Sequence, residues 1–305
     1  MAVLATSGVT LPKNIAEGMW KKAQGGSAIA ALSQADPQQF GEVTHVTLTG
    51  RPRAELVGEG AQKGDTNATF GTKIATPHKF QVTMRFNEEV QWAEEAYQLG
   101  ILSTLAETGG EALARALDLG GFHGINPRAG TASALIVAGD RIGTTTNQVE
   151  LTTESLLTPD LVIEQAAGLV IADGYIPNGI AFDPTYAWTT ATSRYADGRK
   201  KFPELGYGSN VSSFEGLPAF SSSTVSGLPE ASANSNIKAI VGQWDAFRWG
   251  VQKDVPVRMY TTGDPDGLGD LARLNQIALR LEVVYAWAVM DLDAFGLVVD
   301  KVTNV

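Results

Sequence analysis

Apolar and polar residues alternate along two neighbouring stretches, residues 69–74 and 79–86, and this period of two predicts strands wet on one face. Residues 53–57 ahead of them are extended in character, with a weaker alternation. Gly58, Gly60 and Gly64 punctuate the polar run between, so residues 58–67 read as a turn region. Together the pieces predict a long hairpin with few aliphatic side chains, which is marginally stable by itself. The chain offers no obvious lid for it, so another copy of the same chain is expected to cover it.

The period then lengthens to that of a helix. Trp92, Ala96, Leu99, Leu102, Leu105, Ala106, Leu113, Ala116 and Leu117 recur at spacings of three and four. Asn87 suits the N-cap, and Glu88 and Glu89 place negative charge in the first turn, where the helix dipole favours it. A helix over residues 88–119 would be roughly 48 Å long. Gly109-Gly110 costs on the order of 2 kcal/mol against two alanines and predicts a bend, and Gly120-Gly121 predicts the stop.

Residues 1–40 read as an extended arm, broken by Leu11-Pro12, Gly25-Gly26 and Asp36-Pro37, with a helical turn or two at 14–22. Residues 43–49 form a short strand. Thr158, Pro159 and Asp160 start a helix that stops at Asp173-Gly174. A strand at 179–182 leads to Asp183-Pro184, the start of a helix to about Tyr195. Helix, strand and helix in quick succession predict a compact α+β lobe. A loop at 196–216 holds Arg199, Lys200 and Lys201, and short strands follow at 217–222, 237–243 and 257–261. Residues 275–289 are one long strand. In it Ile277, Leu279, Leu281 and Val283 face one way and Ala278, Arg280 and Glu282 the other. Val283-Val284 breaks that alternation and predicts a bulge or burial on both faces.

Composition narrows the classes. The 305 residues can bury a sizeable core, and 18% charged residues with 33 glycines suggests surface covered by partners. A net charge of −10 argues against a general binder of nucleic acid or anionic membranes, while leaving the enclosure of nucleic acid open. Zero cysteines exclude a disulfide scaffold, a cysteine-ligated metal and a thiol nucleophile. Residues 1–10 lack the pattern of a signal peptide, and no apolar run approaches the ~18 residues that span a bilayer. No membrane association is expected, and the chain reads as a soluble protein made in the cytoplasm.

Chemical motifs are sparse. His45, His78 and His123 fall on a strand, before a strand and at a helix end, and are read as structural. Asp264, Asp266 and Asp270 suggest a calcium loop, but Leu268 and Asn275 stand where oxygen ligands are required, so an acidic surface turn is favoured. Gly267-Leu268-Gly269-Asp270-Leu271-Ala272 is a degenerate dinucleotide fingerprint with no buried strand to feed it. Glu88, Glu89, Glu94 and Glu95 read as a solvated helix start rather than paired catalytic carboxylates. No nucleophile elbow or phosphate loop occurs. No catalytic, cofactor or metal residue is predicted, and the chain does not read as an enzyme.

The order of arm, hairpin, long helix, α+β lobe and late strand resembles the major capsid proteins of tailed double-stranded DNA phages, the Hong Kong 97-type fold shared with encapsulin shells. Glu59-Gly60-Ala61-Gln62-Lys63 is similar to that family's hairpin tip, and residues 80–89 to its return strand and acidic helix start. Asp118, Gly124, Pro127 and Gly130 resemble its helix end. Residues 240–247, 275–282 and Ala294-Phe295 resemble its C-terminal third.

The resemblance implies an α+β fold with four parts: an N-terminal arm (1–40), an extended hairpin or E-loop (41–86), a peripheral domain (87–150 and 241–295) and an axial domain (151–240 and 296–305). It implies hexamers and pentamers of this chain closing an icosahedral head around double-stranded DNA, held without sequence-specific contact, in a virion assembled in the bacterial host cytoplasm. A portal, a separately encoded scaffolding protein (or none) and a possible decoration protein complete the implied partners. The alternative is an encapsulin-like shell around an enzyme cargo. Gly58, Glu59, Gly60, Lys63 and Phe70 are the implied subunit-contact residues of the hairpin. Some members join subunits through a lysine–asparagine isopeptide bond with a glutamate as base. Asn275 and Glu282 occupy those positions here, with Lys63 or Lys73 as the lysine. A glycine-lined tip holds Lys63 poorly for attack, so no crosslink is expected.

Overall fold

The structure, a computed structural model, describes residues 26–48, 54–64, 70–92, 95–152, 159–203, 205 and 213–301. In chain order its elements begin with helix α1 (Ala28–Leu32), strands β1 (Val43–Leu48) and β2 (Phe70–Asn87), and helix α2 (Glu95–His123). Strands β3 (Ile125–Asn126), β4 (Thr131–Ala132) and β5 (Gln148–Leu151) lead to α3 (Pro159–Ala172), β6 (Gly179–Phe182) and α4 (Pro184–Thr192). Then come β7 (Ser213–Phe214), β8 (Leu217–Ser221), β9 (Ile237–Gly242), β10 (Phe247–Tyr260), α5 (Leu271–Leu274), β11 (Gln276–Val289) and β12 (Phe295–Asp300).

Two sheets organise these elements. One has four strands in the order β1-β2-β11-β10, and the other six in the order β5-β12-β9-β6-β8-β7. The chain leaves the six-stranded sheet after Gly242, builds β10 and β11, and returns at Phe295. β11 is the central strand of the smaller sheet and is paired antiparallel on both edges. That explains the continuous apolar run at its end, because residues 283–289 are buried on both faces. The expected irregularity lies on the partner strand instead: β10 shifts register between Val251 and Lys253, while β11 pairs evenly with β2 past Val283 and Val284.

Several expectations change. The first half of β2 pairs with β1, from Val43↔Ala75 to Leu48↔Phe70, whereas residues 54–58 form no strand. β1 outcompetes the nearer arm because it supplies an alternating partner of equal length. Residues 88–92 are a 3-10 turn rather than the first turn of the helix. The strand expected at 257–261 is the end of a strand that starts at Phe247, and the helix expected to reach Tyr195 ends at Thr192. Strand β12 carries no prediction from its pattern, since its short run is buried throughout and lacks alternation. Thr158 and the helical turns expected at 14–22 lie outside the described residues.

The spine helix α2 runs through both glycine pairs to His123. Gly109, Gly120 and Gly121 permit close approach rather than stopping the helix. A Cβ on Gly120 would stand 2.8 Å from the Trp287 ring, and one on Gly121 would stand 2.7 Å from Ile29 Cδ1. The stop is Gly124, whose φ of +67° takes the left-handed conformation. Ala106, Leu113, Ala116 and Leu117 face inward as their spacing predicts. Leu113 and Leu117 join Phe122, Trp244, Phe247, Trp287, Phe295 and Leu297 in one core that spans both sheets. A second cluster, with Val162, Ile163, Phe182, Tyr186 and Phe214, lies within the six-stranded lobe.

Asp118 lies fully buried on this helix. Its Oδ1 accepts from Ser27 Oγ at 2.5 Å and Ile29 N at 3.1 Å. Its Oδ2 accepts from Ala28 N at 2.8 Å and Thr224 Oγ1 at 2.6 Å. One carboxylate thus holds the start of α1, the spine helix and the segment at 222–226 together. Burial pushes the Asp118 carboxyl above the usual carboxylate range, against the pull of those four donors. Three residues away, Arg115 pairs with Glu230 through both Nε and Nη2, and donates to Ser223 Oγ at 3.0 Å and Leu228 O at 3.1 Å. At the helix end the His123 Nε2–H reaches Thr224 O at 2.9 Å, and burial holds the imidazole below its ordinary 6.5.

Three outcomes follow from this packing. Leu113→Ala should lower unfolding free energy by about 2–5 kcal/mol, and an unchanged Tm would show that the helix face is misassigned. Asp118→Asn keeps the shape but not the pattern of acceptors. Each Asp118 oxygen meets one backbone N–H, so the amide NH2 faces a donor whichever way it turns. A loss of about 1–3 kcal/mol is expected, read as a lower denaturant midpoint with unchanged slope. His123 has a folded pKa below its unfolded value, so its stabilisation is present above about pH 6.5 and lost as pH falls below it. Stability should therefore fall less steeply between about pH 6.5 and 5 in His123→Gln than in the parent; parallel curves would contradict the buried neutral imidazole.

Candidate assembly surfaces

β2 is 18 residues long, and β11 covers only its second part, from Thr76 onward. Residues 70–75 continue past β11 and carry β1 with them as a two-stranded ribbon. Directly opposed residues share a face in an antiparallel pair. One ribbon face therefore carries Thr44 with Ile74 and Val46 with Thr72, and Phe70 follows at the same alternation. Val46 is 67% exposed, Phe70 70% and Ile74 46%, so an apolar strip lies open to water. The other face turns toward the body: Ala75 is fully buried, and the Lys73 ammonium opposes the upward push of burial on the Asp140 carboxyl.

The predicted tip residues Gly58, Glu59, Gly60 and Lys63 are all exposed. Their order is local: Ala61 N donates to Gly58 O at 3.1 Å, Gly64 N to Glu55 Oε2 at 2.8 Å, and Gly60 takes a φ of +79°. Phe70 stands on the ribbon stem and not on the tip. The stem carries the apolar surface, while Leu56 is the one large apolar side chain exposed among the described residues of the tip segment.

The residues singled out for a crosslink are not brought together within one subunit. Asn275 caps α5 in the left-handed conformation, and its carbonyl accepts from Glu88 N at 2.9 Å. Glu282 lies seven residues further along an extended strand, about 24 Å away. Its carboxylate pairs with Lys79 Nζ at 3.0 Å. Lys63 is at the exposed tip and Lys73 faces inward, so the four groups converge at no point of the chain.

The acidic loop at 261–270 is an ion-paired surface turn. Arg85, whose side chain is largely shielded, donates through Nε to Asp266 Oδ1 at 2.9 Å and Oδ2 at 2.8 Å. Its Nη2 reaches Asp264 Oδ1 at 3.1 Å and Gly269 O at 2.9 Å. Arg280 binds Thr83 Oγ1 at 3.0 Å and the Pro265 carbonyl, and lies over the Tyr260 ring at 5.0 Å. The Arg85 guanidinium holds Asp266 below the usual carboxylate range. Arg85 was not visible as a loop anchor in the sequence, because its partners lie some 180 residues away. Among the described residues no group of three or more His, Asp or Glu is placed to hold a metal ion, and no helix is long and apolar enough to cross a membrane.

Two further apolar surfaces are uncovered. On α3, Leu161, Leu169 and Ile171 point outward beside Glu164, and Trp188 on α4 is 59% exposed. After β4, Leu135 and Val137 flank the buried Ile136. The sequence reading missed this second surface, although the uncharged run Ala134-Leu135-Ile136-Val137-Ala138 in a turn-rich connection signals it.

Comparison with known proteins gives one consistent likeness. The profile of the phage capsid family matches residues 7–300. A solved structure from Mycobacterium phage Ogopogo is 49% identical, covers 90% of this chain and 92% of its own, and superposes with a TM-score of 0.81. One from Gordonia phage Cozz is 32% identical, covers 90% and 86%, and gives a TM-score of 0.77. The capsid of an empty GTA particle, 14% identical over 98% of this chain and 94% of its own, shares the fold with a TM-score of 0.61. No curated protein matches the chain.

Proposed function

The chain belongs to the phage capsid family and is a major capsid protein with a Hong Kong 97-like fold, and we propose that its copies associate as hexamers and pentamers into a closed icosahedral head around double-stranded DNA. The observation that carries this reading is the β1–β2 ribbon, which leaves the sheet with an apolar face that no described part of its own chain covers. A sheet face of this kind needs a second layer, and a neighbouring subunit supplies it. Gly58, Glu59, Gly60, Lys63 and Phe70 then lie at the subunit contact. An encapsulin-like shell is not favoured, because the likenesses are to phage capsids.

On this reading residues 87–150 and 241–295 form the peripheral domain with the spine helix and the long strand. Residues 151–240 and 296–305 form the axial domain, whose uncovered α3 face meets its neighbours around each capsomer axis, and 1–40 and 41–86 are the arm and the E-loop. The net charge of −10 suits a wall that encloses DNA without adhering to it. Assembly takes place in the host cytoplasm with a portal, with a scaffolding protein or with none, and a decoration protein is compatible with the exposed surface. Each contact is modest, but burial among many neighbours at about 25 cal/mol per Å² of apolar surface exceeds the cost of association.

Size-exclusion chromatography with electron microscopy of the purified chain tests the reading. Discrete hollow particles are expected, and a stable monomer under every condition would overturn it. Particles boiled in detergent should run as a single band near 32.3 kDa. A ladder that vanishes in Asn275→Asp or Glu282→Ala would instead establish a covalent bond between subunits.

A further inference from the structure

We propose that a cleft between the end of the spine helix and the β9–β12 pair binds a phosphate group, with Arg141 as its anchor. The inference goes beyond the shell reading and does not depend on it. The cleft has a volume of about 550 Å³, the size of a small-molecule site. The buried side chains of Ile237, Leu297 and Val299 form its apolar part, and Thr131, Arg141, Gln148 and Asn234 its polar part. Arg141 is held in place. Its carbonyl accepts from Thr144 N at 3.2 Å and Thr144 Oγ1 at 2.7 Å, and its Nε donates to Val137 O at 3.4 Å. Its stem lies against Gly124, where a Cβ would stand 2.8 Å from Arg141 Nε. Arg141 Nη1 and Nη2 meet no acceptor among the described residues.

Charge and donor count select the ligand. No carboxylate lines the cleft. Asp140, Glu150 and Glu230 flank its segments in sequence, but each answers to another cation: Lys73, Lys301 and Arg115 in turn. A half-buried guanidinium without a counter-charge is costly, and an anion in the cleft removes that cost. A carboxylate has two oxygens, which one guanidinium fork satisfies. The Thr131 hydroxyl and the Asn234 amide NH2 are donors on other segments, with no acceptor among the described residues. They suit a head with a third oxygen, which a phosphate supplies. Duplex DNA presents its phosphates in a row and is held by several cations. Arg141 is the one Lys or Arg that lines this cleft, so a free phosphate or phosphomonoester is the expected source.

Titration calorimetry of the purified chain with inorganic phosphate, adenosine monophosphate and a short DNA duplex tests the site. Phosphate and the nucleotide should bind, and Arg141→Gln should weaken both by about tenfold or more. Asn234→Asp keeps the oxygen that accepts from Asn236 N at 2.8 Å and adds a carboxylate to the cleft. It should leave the Tm unchanged and weaken phosphate by about tenfold, because like charges repel. The duplex should show no binding that depends on Arg141. If it does show such binding, the same phosphate site belongs to the backbone of enclosed DNA. No binding of any of the three probes, binding that either variant leaves unaltered, or acetate bound as tightly as phosphate would overturn the assignment. Failure of the chain to form particles is a different result and bears on the shell reading alone.

Discussion

A single buried carboxylate sets the geometry on which the other contacts depend. Asp118, itself on the spine helix, gathers four donors from two other parts of the chain, two of them backbone N–H groups. α1 has only five residues, too short to hold itself as a helix in water. Its N-terminus is satisfied by Asp118 and by its own cap, since Ser27 Oγ also accepts from Ala30 N at 3.1 Å. Arg115 and His123 then bind the same segment at 222–230 from either side of Asp118 along one helix. The spine helix is thereby fixed to α1 and to the segment at 222–230, while Gly109 and Gly120 let it lie close against Leu281 and Trp287 of the smaller sheet.

How much of this was legible follows from where each signal resides. β11, α3 and β6 were readable because a local pattern and a cap or stop mark each of them. The glycine pairs of the spine helix were misread for a physical reason. Glycine stops a helix when it adopts positive φ, but it also admits a bulky neighbour, and the sequence does not distinguish the two uses. Gly120 and Gly121 make room for Trp287, Ile29 and Phe247, and the positive φ is left to Gly124. The pairing of β1 with β2 was hidden because strand partners are chosen by register and not by nearness along the chain.

The assembly surfaces divide along the same line. Alternation in residues 69–74 predicted a strand with one apolar face, and that face is present. The alternation could not say that the face lies beyond β11. That depends on where the pairing of β11 with β2 ends, at Trp287↔Thr76, a fact of tertiary structure. The anchoring of the acidic loop by Arg85 was equally invisible, since that arginine reaches the loop from some 180 residues away. Family resemblance carried the functional reading where the chemical motifs were silent.

The uncovered ribbon has a consequence for the life of the chain before any shell exists. A free subunit carries an apolar strand pair with an open edge, the kind of surface on which polypeptides also misassociate. Correct and incorrect partners therefore compete for the same strip, and the outcome depends on how fast each is met. Freshly made subunits are the vulnerable species, and their concentration is the quantity a host cell or a producer has to control. Slow synthesis, or an escort that shields Val46 and Phe70 until neighbours arrive, would favour closed shells over sediment without altering a single contact in the finished particle.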